Sequence, residues 1–78
     1  MPTILRIKGY RFFFNSREEN RRHVHVATAD GNAKFWLEPL IGLADYHNLS
    51  SKELSEIEDL VRQNANDFRN AWDRHFGQ

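Results

Sequence analysis

The chain reads as an α+β fold: an antiparallel sheet of four to five strands, made of two N-terminal hairpins, packed by one long or kinked C-terminal helix. Three observations lead there. Short runs of β-branched and aromatic residues flank Lys8-Gly9, a strict alternation closes on Asp30-Gly31, and apolar residues recur at helical spacing from Leu54 to Phe76. With 78 residues and no cysteine, the chain is expected to form one domain, with the sheet at about 2–44 and the helix at about 51–76.

Thr3 to Lys8 and Tyr10 to Phe14 form the first hairpin, with Lys8-Gly9 as the central pair of a tight turn. That register sets Ile7 against Tyr10, Leu5 against Phe12 and Thr3 against Phe14, so one face is apolar. Arg6, Lys8, Arg11 and Phe13 point the other way. Asn15 to Arg22 contains no apolar residue and is expected to be an exposed loop. His23-Val24-His25-Val26 and Ala33 to Glu38 then alternate with period two. Closing this second hairpin on Asp30-Gly31 pairs Val26 with Phe35 and Val24 with Leu37 inside. It pairs His25 with Trp36 and His23 with Glu38 outside.

Pro39 ends or bulges the fourth strand, and Leu40 to Ala44 is a candidate edge strand. Ser50 and Glu53 have capping-box spacing, with Leu49 just ahead as a staple residue. Leu54, Ile57, Leu60, Val61, Phe68, Trp72 and Phe76 give the helix its apolar stripe, and Gly77 gives its stop. Asn64-Ala65-Asn66 either kinks this helix or splits it, because asparagine is a mediocre helix former.

Eleven Lys plus Arg balance eleven Asp plus Glu, so the total charge draws the chain to neither nucleic acid nor membrane. The halves differ, however. Seven basic and four acidic residues lie in the segment ending at Glu38; four basic and seven acidic follow it. No apolar run approaches the ~20 residues that cross a bilayer, and no secretory signal is evident, so a cytoplasmic location without membrane contact is expected. The absence of cysteine excludes disulfides and thiolate metal sites.

The outer sheet face gathers Arg6, Lys8, Arg11, Phe13, His23, His25, Lys34, Trp36 and Glu38. Cations there suit a phosphodiester backbone and aromatics suit stacked bases. The plainer reading is that a small sheet needs a solvated, charged outer face. His23 and His25, two apart on a strand, project from one side, so they are candidates for a general acid and base. Arg6, Lys8, Arg11, Arg22, Lys34 and Trp36 are the candidate RNA or anion contacts. As a metal-independent ribonuclease, the chain would use His23 and His25 as proton carriers and Arg22 and Lys34 to stabilise phosphorane charge, with no cofactor. A weaker alternative joins His23, His25 and Glu38 in a metal site. Another is a non-catalytic module that docks a cognate small protein or a second copy, with Trp72 and Phe76 as candidate interface residues.

The order Met1-Pro2-Thr3-Ile4-Leu5-Arg6 with Gly9-Tyr10-Arg11-Phe12-Phe13-Phe14, His23-Val24-His25-Val26, Ala33-Lys34-Phe35-Trp36-Leu37-Glu38-Pro39 and Leu49-Ser50 before Glu53-Leu54 resembles the bacterial domain-of-unknown-function family DUF4160. The resemblance covers nearly the whole chain. It implies a small toxin-like member of a toxin–antitoxin-type gene pair, with a cognate small protein encoded nearby as partner. It supplies no known catalytic residue. The family usually places two prolines before its His-x-His pair, where this chain has Arg21-Arg22. Two cations beside His23 oppose a metal ion and favour RNA.

Overall fold

A computed structural model describes residues 3–15 and 20–77. Strands β1 (Thr3–Ile7), β2 (Tyr10–Phe13), β3 (His23–Ala27), β4 (Asn32–Trp36) and β5 (Gly42–His47) form one antiparallel sheet in the order of the chain. Helices α1 (Ser51–Gln63) and α2 (Ala65–Phe76) follow. This is the expected α+β architecture, with five strands and a split helix. The polar stretch Asn15 to Arg22 lies partly outside the described residues, as do Met1 and Pro2.

The first hairpin turns at Lys8 and Gly9, both at positive φ (53° and 80°), as a type I′ turn requires. Ile7 faces Tyr10 and Leu5 faces Phe12 as expected, but Thr3 faces Phe13 rather than Phe14. The register shifts between Thr3 and Leu5, and Ile4, Leu5 and Ile7 all pack against the core. A bulge lets two successive side chains reach the same apolar layer.

The second hairpin keeps its faces but not its partners. His23 pairs with Trp36, Val24 with Phe35 and His25 with Lys34, two residues away from the register that Asp30-Gly31 predicts. Thr28 is the cause. Its Oγ1 accepts from the amides of Asp30 (3.2 Å) and Gly31 (2.9 Å), while its own amide donates to the Gly31 carbonyl. The turn therefore centres on Ala29-Asp30, one step earlier, because a threonine hydroxyl captures the local amides. An even slip leaves every side chain on its original face.

The edge strand is also displaced, to Gly42–His47 instead of Leu40 to Ala44. Lys34 faces Asp45 while Phe35 faces Leu43, which makes Ala44 an extra residue. That bulge places Leu43 and Tyr46 on one face and hides the period-two signal.

The inner face presents Phe12, Phe14, Val24, Val26, Phe35 and Leu37, all at most 1% exposed. The helices answer with Ile57, Val61, Phe68 and Trp72. Phe12 stacks on Phe68 at 5.3 Å, and Phe14 meets the edge of Trp72 at 5.3 Å. Three polar straps fix the helices to the sheet. Tyr10 Oη donates to Glu56 Oε1 at 2.5 Å, the Arg69 guanidinium donates twice to the Leu37 carbonyl, and Arg22 reaches Asp73.

Ser50 and Glu53 form the reciprocal capping box at the start of α1. At its end, both the amide and the side chain of Asn64 donate to the Leu60 carbonyl, and the backbone leaves helical geometry there. Asparagine offers the chain a local bond that competes with helix continuation, so α2 starts afresh. Gly77, at φ 74°, closes α2 with its amide on the Asp73 carbonyl. No described helix is long and apolar enough to cross a membrane.

Candidate functional site: the open sheet face

Pairing across β2, β3, β4 and β5 aligns Phe13, His25, Lys34 and Asp45 in one row on the face opposite the helices. Arg11, Ala27, Asn32 and His47 form the next row. His23 and Trp36 stand on the other side of the first row. The small Ala27 and Gly31 leave a groove of about 470 Å³ between larger neighbours, walled by Phe13, His25, Lys34, Asp45 and His47. This groove exists because the rows place short side chains beside long ones at strand spacing.

Rings and cations are interleaved on this face. Phe13 stacks on His25 at 5.4 Å, and the Arg11 guanidinium lies 4.4 Å above the Phe13 ring. Trp36 carries two cations, Arg21 at 4.0 Å and Lys34 Nζ at 4.5 Å. Arg21 is held there by its Nε, which donates to the Glu38 carbonyl at 2.7 Å. Each such contact contributes about 0.5–1 kcal/mol where exposed. A planar base approaching Phe13 or Trp36 therefore meets a ring with a cation already over it, and stacks on the guanidinium or displaces the cation from the ring.

The histidine pair is together, with ring centroids 5.1 Å apart, but its members differ. His23 is 0% exposed, enclosed by Trp36 at 5.6 Å and Trp72 at 5.0 Å. Its Nδ1 lies 2.7 Å from the Arg21 carbonyl, which can only accept, so Nδ1 carries a proton. His25 is half-buried, and its Nε2 accepts from Asn15 Nδ2 at 3.1 Å. A substrate proton has no route to the enclosed ring of His23, whose position suits it to support His25 and Trp36 from behind.

Arg22 and Glu38 have moved away from the roles expected of them. Arg22 donates from Nη1 to Glu38 Oε1 at 2.7 Å and from its backbone to Glu38 Oε2 at 3.1 Å. Its Nε and Nη2 bond Asp73 Oδ1 at 2.8 and 2.5 Å. These hydrogen bonds hold the Glu38 carboxyl below the usual carboxylate range and push the Arg22 guanidinium higher still. Arg22 thus ties the start of β3 to the end of β4 and to α2. Its charge is already balanced by two carboxylates. Glu38 faces Arg22 and not His23, and among the described residues no three His, Cys, Asp or Glu side chains gather as a metal-ligand set.

Of the other expected contacts, Arg11, Lys34 and Trp36 line the open face, Arg6 is exposed on β1, and Lys8 stands at the hairpin turn. Trp72 is 1% exposed and belongs to the core, whereas Phe76 keeps partial exposure beside it. Sequence reasoning missed Asp45 and His47, which alternate on β5, and the stacking role of Arg21. Asp45-Tyr46-His47 carries a period-two signal for the polar pair, but the extra residue Ala44 puts it out of phase with the segment Leu40 to Ala44.

The family model described as Domain of unknown function (DUF4160) matches residues 9–73. Neither the curated proteins nor the solved structures contain a match to the chain.

Proposed function

Because the chain belongs to the DUF4160 family, whose description names no activity, function has to be argued from the face itself, and we propose that this face binds single-stranded RNA. The observation that carries the proposal is the interleaving of Arg11 with Phe13 and of Arg21 and Lys34 with Trp36 on an open sheet. Stacking platforms combined with backbone cations bind single strands with little regard to sequence. Phe13 and Trp36 are the stacking residues in this reading. Arg6, Arg11, Arg21 and Lys34 contact phosphates, and His25 extends the Phe13 platform.

The reading is one of binding, not hydrolysis, because His23 is enclosed and its Nδ1 is engaged. The resemblance to DUF4160 supports placing this binding in a toxin–antitoxin-type module, with the chain as the toxin-like member and a cognate small protein as its partner. A complementary test of that context is induced expression in a bacterial host. Growth arrest relieved by Phe13→Ala/Trp36→Ala supports it, and normal growth with folded wild-type protein contradicts it.

The direct test is fluorescence anisotropy with a labelled single-stranded RNA of roughly 12 nucleotides, within the range such platforms cover. Phe13→Ala and Trp36→Ala should each weaken binding by about five- to a hundredfold, as loss of a stacked base costs about 1–3 kcal/mol. Affinity should also fall steeply with salt. Absence of binding by folded protein at low salt, or equal binding by both variants, refutes the proposal.

A further inference from the structure

Among the described residues, three large hydrophobic side chains remain exposed: Leu40 at 78%, Leu43 at 42% and Tyr46 at 47%. All three lie on β5 or just before it, and β5 is an edge of the sheet. Leu43 and Tyr46 sit across from Phe35 and Ala33, on the side that faces the helices, yet they are not covered. Apolar side chains on an open edge strand are what soluble sheets ordinarily avoid, using charge, proline or a cover. The pattern on the opposite side of the same strand says what covers them. Asp45 and His47 flank Tyr46 there, 3.7 Å apart and both about 70% exposed.

We propose that β5 pairs antiparallel with β5 of a second copy of this chain, about a two-fold axis at Tyr46. In that register each Asp45 faces the partner copy's His47 on the open face, and the two Tyr46 rings meet on the helix side. The two-residue alternation keeps both faces consistent. Shifting the axis to Asp45 would set the two carboxylates against each other, which like charges in a cross-strand pair oppose. In the single chain Asp45 Oδ1 accepts from the Tyr46 amide at 2.9 Å. The partner's carbonyl takes over that contact and releases Asp45 to His47. Pairing through β5 on both copies is isologous and closes at two, whereas β5 against the other edge, β1, is heterologous and builds larger rings or open filaments. The result is a ten-stranded sheet whose two open faces are continuous.

Sedimentation velocity on the full chain from low to high micromolar concentration tests this, with circular dichroism confirming that each variant folds. The wild type should pass from monomer to dimer. Asp45→Lys, which removes the carboxylate that faces His47 in both cross-strand pairs, should weaken the dimer about tenfold or more. Adding His47→Glu should restore it by setting a carboxylate opposite each new ammonium. Tyr46→Lys should abolish it. A wild type that stays monomeric throughout overturns the proposal. So does a dimer insensitive to both Asp45→Lys and Tyr46→Lys, since it would use another face.

Discussion

Gly31→Ala isolates the contact that holds β5, and with it one wall of the open-face groove, against the second hairpin. A methyl group at this position would fall well inside contact distance of the carbonyl oxygens of His47 and Asn48, and 2.9 Å from the Asn48 carbonyl carbon. All three atoms are backbone, so no side-chain rotation relieves the clash. The end of β5 must move, and the motion strains the Asn48 Nδ2 bond to the Asp30 carbonyl (2.7 Å) and the Asn32–His47 pairing. Forced backbone shifts in a packed site cost about 1–3 kcal/mol, and each hydrogen bond lost adds roughly 1 kcal/mol. The expected destabilisation is therefore about 3 kcal/mol, which lowers the midpoint of thermal unfolding by about 15 °C in a chain of this size. Differential scanning calorimetry measures the loss. Amide hydrogen exchange should show β5 opening while β2 and β3 stay protected. A variant within about 0.5 kcal/mol of wild type, with β5 protection unchanged, refutes the reasoning, because that is the ordinary scatter of surface substitutions.

The hydrogen bond to Glu56, together with burial, pushes the Tyr10 phenol up to about 12. A folded-state value above the unfolded one means that this contribution is complete below pH ~10 and is lost as pH rises towards the folded value. Tyr10→Phe should cost about 2 kcal/mol at neutral pH, the worth of a hydrogen bond to a charged group, and the gap should close above pH ~10. Denaturant titrations at both pH values check this, and a gap that does not change with pH contradicts it. Trp72 is enclosed by Phe14, Phe76 and His23, so Trp72→Ala should lose about 3–5 kcal/mol by calorimetry. Its Nε1 makes no hydrogen bond among the described residues, so Trp72→Phe should be much milder than Trp72→Ala; similar losses in the two would show that the ring's packing is not what matters.

Much of the fold was legible because local chemistry and the apolar pattern agree. Lys8-Gly9, the Ser50–Glu53 box, Gly77 and the helical stripe each announce a feature that depends on neighbours a few residues away. The misses arose where one side chain overruled the pattern. Thr28 moved a turn by one residue, and extra residues at Ile4 and Ala44 broke the period that identifies strands. Asn64 leaves one bent helix and two helices equally open in the sequence, and its side-chain bond to the Leu60 carbonyl decides for two.

The site was legible as a face but not as individual roles. Alternation alone placed Arg11, Phe13, His25, Lys34 and Trp36 together. His23 is enclosed by Trp72, which lies 49 positions further along the chain, and no local pattern encodes that contact. No local pattern marks Arg22 as paired either, because Asp73 lies 51 positions away. Both roles depend on where α2 returns across the sheet.

An amide-resolved NMR titration of the folded chain with single-stranded RNA tests the RNA-binding face most directly. Shift changes should concentrate at Arg11, Phe13, His25, Lys34 and the Trp36 indole, and fade with added salt. Changes confined to α1 and α2, or none at all at low salt, would contradict RNA recognition by this face.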